Sequence, residues 1–124
     1  MAPPFRPATD EDVVPVIDLW TRAGLVVPHN DPGRDIAFAR SVANAEILVA
    51  VEADRMVAAG MVGHDGHRGW VYYIGVDPDH HGEGLGRALM AACEDWLSGH
   101  GVPKAQLMIR DTNTKVRDFY ARIG

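Results

Sequence analysis

The 124-residue chain is long enough for one compact domain, 1–124, and such a domain buries a core without disulfides or metals. Its 47% hydrophobic and 23% charged residues are an ordinary soluble balance, and a net charge of -5 argues against general nucleic-acid binding, which needs a basic excess. The single cysteine, Cys93, excludes an internal disulfide, no apolar run approaches a membrane span, and Met1–Arg6 lacks a signal-peptide core, so a cytoplasmic protein is expected.

Pro3, Pro4 and Pro7 restrict Phe5-Arg6 to a short edge strand. Thr9 reads as a helix N-cap with Asp10, Glu11 and Asp12 in the first turn, and Val13, Val16, Ile17 and Trp20 recur at helical spacing. Pro15 then falls just past the first turn, which predicts a kink or a later start. Gly24 ends this helix. Residues 25–31 form a loop, Asp31-Pro32 opens a second short helix, and that helix runs to about Ala43.

Three strands follow, at 46–52, 56–64 and 70–76, joined by Ala53-Asp54-Arg55 and by turn chemistry over 65–69. Their short links predict an antiparallel meander. Asp77-Pro78 stops the third strand. A helix from about Gly84 to Ser98 carries the apolar stripe Leu85, Ala88, Leu89, Ala92, Cys93, Trp96 and Leu97. A strand at 105–110 should return parallel to the third meander strand, and a last helix spans 113–122. The expected fold class is α+β, with a mixed, mainly antiparallel central sheet and helices on both faces.

Between the third strand and the long helix lies His81-Gly82-Glu83-Gly84-Leu85-Gly86-Arg87. Three glycines let the backbone turn sharply and approach a ligand. The helix start leaves N–H groups without intrahelical acceptors, and these suit a phosphate or pyrophosphate. A P-loop is excluded because Gly86 is followed by Arg87 instead of Lys-Ser/Thr, and a dinucleotide fingerprint would need glycine where Arg87 stands. Read alone, the segment is equally a flexible turn ahead of a helix.

The run Tyr73-Ile74-Gly75-Val76-Asp77-Pro78 through Arg87-Ala88-Leu89 resembles the acyl-CoA-binding motif of GNAT N-acetyltransferases. Asn113 to Gly124, with Phe119-Tyr120 inside it, resembles that family's second motif, and Asn30-Asp31-Pro32 and residues 65–69 are similar to its small YpeA-like bacterial branch. The resemblance implies acetyl transfer from acetyl-CoA to a primary amine, on a small molecule or a protein, by direct attack on the thioester. It implies a cofactor site of Ile74, Gly75, Val76, His81, Gly82, Glu83, Gly84, Leu85, Gly86, Arg87, Asn113 and Tyr120, with loop amides on the pyrophosphate and the main chain of Ile74 and Val76 along pantetheine. The strands at 69–76 and 105–110 would splay to admit it. Asn113 would touch the pantetheine arm, and Tyr120 would protonate the leaving thiolate. Family members continue past the position of Gly124 into two further strands, and dimers are common among them. A non-catalytic acyl-CoA sensor is the alternative reading.

The sequence departs from the family pattern in three ways. His81 stands where an Arg or Gln is usual, Glu83 brings a carboxylate into the anion loop, and Trp70, Val71 and Tyr72 supply no early carboxylate base. The proton of the acceptor amine then leaves through a water chain, Tyr73, Glu52 or His64. Val27 to Asp31 is the expected acceptor-side wall, with helix capping by Asp31 as its plainer reading. Trp20, Trp96 and Cys93 read as packing residues, Trp70 as either packing or cleft lining, and His64, Asp65 and His67 as surface groups more than a metal site.

Overall fold

The computed structural model describes residues 4–29, 31–66, 68–80 and 84–102. Strand β1 (Arg6–Pro7) is followed by a 3-10 turn (Asp10–Asp12), α1 (Val13–Arg22), α2 (Pro32–Ser41), β2 (Ala45–Glu52), β3 (Arg55–His64), β4 (Gly69–Val76), a second 3-10 turn (Pro78–His80) and α3 (Leu85–Gly99). The four strands form one sheet in the order β1-β2-β3-β4, and every neighbouring pair is antiparallel. The strand expected at 105–110 and the helix at 113–122 lie outside the described residues.

Alternation along the strands separates two cores. Ile47 and Val49 face α1 and α2, where they meet Val16, Leu19, Trp20, Ile36 and Ala39. Leu48 and Ala50 face α3, where they meet Leu85, Leu89, Met90, Cys93 and Leu97. Helices therefore cover both faces, as a mixed α+β fold requires. The α3 stripe matches the expected one at Leu85, Leu89, Ala92, Cys93, Trp96 and Leu97, with Met90 in the core and Ala88 only half-buried beside it. Cys93 is fully buried, and desolvation, reinforced by Glu94, pushes its thiol up to about 12, so it behaves as a core residue.

Several boundaries shift for local reasons. β1 is Arg6–Pro7 and not Phe5-Arg6; it pairs with Val49 and Leu48 at the sheet edge, where a proline lacking an N–H is tolerated. The first turn ahead of α1 is 3-10, so α1 opens at Val13 and Pro15 sits third in it, where no intrahelical N–H bond is needed. Asp12 accepts from the Thr9 N–H at 2.7 Å and from Arg6 at 2.7 Å, which fixes this entry. α2 stops at Ser41, whose hydroxyl donates to the Phe38 carbonyl, and Val42 is already extended. The β2–β3 connection is only Ala53-Asp54: both take positive φ (52 and 65), the geometry of a two-residue hairpin, and Arg55 pairs with Glu52.

Candidate active site

The third meander strand is not regular. Ala59 pairs with Gly75 and Met61 with Tyr72, so Gly60 alone opposes both Tyr73 and Ile74. This bulge places Tyr73 at φ 54, a left-handed conformation that costs a non-glycine residue about 1–2 kcal/mol. It also inverts the alternation. Tyr72 and Tyr73 both pack on the α1/α2 core, whereas Ile74 and Val76 pack on the α3 core. Gly75 returns to the α1 face, where a Cβ would lie 2.8 Å from Trp20 Cδ1, so only glycine admits the indole there. The Trp20 Nε1–H donates to the Ala59 carbonyl at 3.1 Å, and its ring stacks on Tyr73 with centroids 4.3 Å apart. Trp20 thus packs as expected, and it also braces the bulge.

The main chain beyond the bulge has a definite orientation. The Asp77 N–H donates to the Val57 carbonyl at 2.8 Å, toward β3. Successive residues of a strand point their amides to opposite edges, so Gly75 also faces β3 while Val76 and Ile74 turn theirs to the other edge of β4. Within the described sheet that edge carries no further strand.

Directly after β4, the Asp77 carboxylate is fully buried. Its Oδ1 accepts from Arg22 Nη1 and from the Asp79 N–H, each at 3.0 Å. Arg55 Nε lies 2.7 Å and His80 Nδ1 3.3 Å from Oδ2, as ion-pair contacts lacking hydrogen-bond alignment. Burial pushes the Asp77 carboxyl up, but the Asp79 N–H, the Arg22 and Arg55 guanidiniums and the neighbouring His80 ring outweigh it and hold the pKa below the usual carboxylate range. Asp77 therefore ties β4, β3 and α1 to the turn that leads into the glycine segment. Its sequence signal is only that of a strand stop before Pro78.

At the start of α3, Gly84 has φ 76 and ψ 11, which a side chain would strain. The first intrahelical bond of this turn is Ala88 N–H to Gly84 O at 3.0 Å. The amides of Leu85, Gly86 and Arg87 precede it, so they are the donors that a helix start presents to an anion. Leu85 and Gly86 are buried, and the Leu85 side chain belongs to the α3 core; Arg87 is exposed. Main-chain donors of this kind are what a pyrophosphate would take. The structure thus brings Ile74, Gly75, Val76, Gly84, Leu85, Gly86 and Arg87 to the β4–α3 junction. His81, Gly82, Glu83, Asn113 and Tyr120 lie outside the described residues.

Of the other singled-out residues, His67 lies outside the described residues. Trp70 is half-buried and packs obliquely on Tyr72, with centroids 5.2 Å apart. His64 accepts the Gly66 N–H at Nδ1 (2.9 Å) and sits among Trp96 and His100, and no metal-binding cluster occurs among the described residues. The Asp31 side chain accepts the Arg34 N–H at 3.1 Å, which makes it the cap of α2. No helix among the described residues is long and apolar enough to cross a membrane.

Known proteins share this pattern. The family described as Acetyltransferase (GNAT) matches residues 13–124. An acetyltransferase of Sodalis glossinidius is 41% identical over 113 residues, covering 91% of this chain and 80% of that protein. In structure, AAC(6')-Iy in complex with a bisubstrate CoA analogue superposes with a TM-score of 0.80 at 16% identity, covering 98% of this chain and 88% of the other. A protein described as a predicted acetyltransferase, from Clostridium acetobutylicum with acetyl-CoA, superposes at 0.74 and 13% identity, covering 94% and 87%. With the bulged strand, the outward amide edge of β4 and the glycine-led helix start in place, the chain belongs to the GNAT family of acetyltransferases.

Proposed function

We propose that this protein transfers acetyl to a primary amine, on a small molecule or a protein, by direct attack on the thioester. The observation that carries this reading is the junction itself: outward amides of Ile74 and Val76 on β4 run into the first-turn amides of Leu85, Gly86 and Arg87, which have no acceptor within the helix. The bound acetyl-CoA supplies an activated acyl carbon and a thiolate leaving group. Amides of Gly82, Gly84, Gly86 and Arg87 hold the pyrophosphate, with His81 and Glu83 flanking them, and Asn113 reaches the pantetheine arm. The Ile74 or Val76 N–H stabilises the negative charge that builds on the thioester oxygen. Tyr120 gives its proton to the departing sulfur, a step suited to a phenol of pKa ~10.

Calorimetric titration with acetyl-CoA and a thiol-release screen of amines test this directly. Tyr120→Phe should lower turnover roughly 100-fold or more while leaving acetyl-CoA binding intact. Binding without turnover in the parent protein would instead identify a non-catalytic acyl-CoA sensor. No binding of acetyl-CoA would overturn both readings.

A further inference from the structure

An alkyl amine is largely protonated at neutral pH, so a group near the acyl carbon must take a proton before the nitrogen can attack. Of the side chains open to this role, two are badly placed. His64 pairs with Gly69, three residues along β3 from the Met61–Tyr72 rung, or about 10 Å at the usual strand rise. Glu52 closes the exposed β2–β3 hairpin opposite Arg55. Tyr73 lies in the bulge, and Ile74, whose amide faces the proposed thioester edge, is the next residue in the chain.

The bulge turns Tyr73 onto the α1/α2 face, where its ring stacks on Trp20. Its hydroxyl donates to Asp35 Oδ2 at 2.5 Å, a length typical of a charge-assisted O–H···O⁻ bond. Asp35 sits in the first turn of α2, directly after the loop expected to wall the acceptor side, and both side chains are half-buried. The left-handed backbone of Tyr73, the Trp20 stack and the Asp35 hydrogen bond together pre-position the phenol.

We propose that Tyr73 and Asp35 form the proton relay of the acceptor amine, an inference that rests on the amine-acetylation reading above. One proton passes from the acceptor nitrogen to the Tyr73 oxygen as the Tyr73 hydroxyl proton passes to the Asp35 carboxylate. The freed lone pair forms the C–N bond, the C–S bond breaks with its electron pair on sulfur, and the sulfur takes a proton from Tyr120. The protonated amide nitrogen gives up its second proton, which restores Tyr120, so the products are an amide, a free thiol and one proton, which Asp35 returns to solvent. Tyr73 touches the substrate; Asp35 acts through it as a positioning residue and proton store.

Thiol release from acetyl-CoA with two nucleophiles tests the relay: benzylamine, an ammonium at pH 7, and hydroxylamine, already neutral there. Tyr73→Phe keeps the ring stack and Asp35→Asn keeps the side-chain size, and thermal melts confirm that each variant folds. Both should lower kcat/KM for benzylamine roughly 100-fold, and at least about tenfold more than for hydroxylamine. The benzylamine deficit should shrink as pH rises and the amine deprotonates by itself, Asp35→Glu should restore part of the rate, and acetyl-CoA affinity by calorimetry should not change. Equal losses for both nucleophiles, a deficit that does not vary with pH, or no loss would overturn the relay and leave the pair as a strut between α2 and β4. A parent protein that binds acetyl-CoA but releases no thiol with either amine would overturn the amine-acetylation reading, and the relay with it.

Discussion

Two residues at the β4–α3 junction, Gly84 and Asp77, are specified in different ways. Gly84 is required by dihedral angle alone: a Cβ there would meet nothing within 4 Å, yet φ is 76. Gly84→Ala should therefore destabilise the protein by about 1–2 kcal/mol through backbone strain, and it should weaken acetyl-CoA binding by disturbing the first turn of α3. Gly99→Ala is the matched control, because Gly99 lies at the helical end of α3 in open space; it should leave stability equal or slightly higher. Thermal melts of the two variants separate angle from volume. Asp77 is specified by its partners instead. A carboxylate buried this fully persists only because Arg22, Arg55, His80 and the Asp79 amide surround it.

The contact between α1 and β4 shows how an element is held to a defect in a sheet. Trp20 fills the space left by Gly75, donates to Ala59 across the rung and stacks on Tyr73. Regular alternation in β4 would send Tyr73 to the α3 core and leave Trp20 without that partner. Gly75→Ala would set a Cβ 2.8 Å from Trp20 Cδ1 and 3.2 Å from Leu25 Cδ1, so overpacking should cost about 1–3 kcal/mol. Trp20→Phe removes the indole edge and its hydrogen bond. Combined with Gly75→Ala it should be less damaging than the sum of the two, because the smaller ring makes room for the added methyl. Urea unfolding of the two single variants and the double variant measures that coupling, and strict additivity would show that ring and methyl do not share the space.

The molecule as a whole should be acid-sensitive in a defined window. Hydrogen bonding from Arg6, helped by the Thr9 N–H and hydroxyl, outweighs burial and lowers the Asp12 carboxyl from 3.8 to about 2. Asp77 is lowered as well. A carboxylate whose folded pKa is depressed contributes stability above its unfolded pKa and loses it as pH falls through the folded value. Stability should thus be fully present near neutral pH and fall as the pH drops from about 4 toward about 2. Asp12→Asn should be less stable at neutral pH and show a shallower decline over that window in denaturant titrations. Much of the architecture was legible beforehand. The stripe Leu85, Leu89, Cys93 and Leu97 determined α3, the alternation of Ile47 and Val49 with Leu48 and Ala50 determined β2, and the glycine at position 84 marked the start of α3. These signals are local, since a helix or strand repeats its burial every few residues. Two adjacent aromatics, Tyr72-Tyr73, were the one trace of the bulge, and nothing nearby said which face Tyr73 would take. Tertiary packing decided that, and it brought Arg22 to Asp77 across 55 residues and Tyr73 to Asp35 across 38. Partners so far apart leave no periodicity in the chain, because their meeting depends on how sheet and helices are layered.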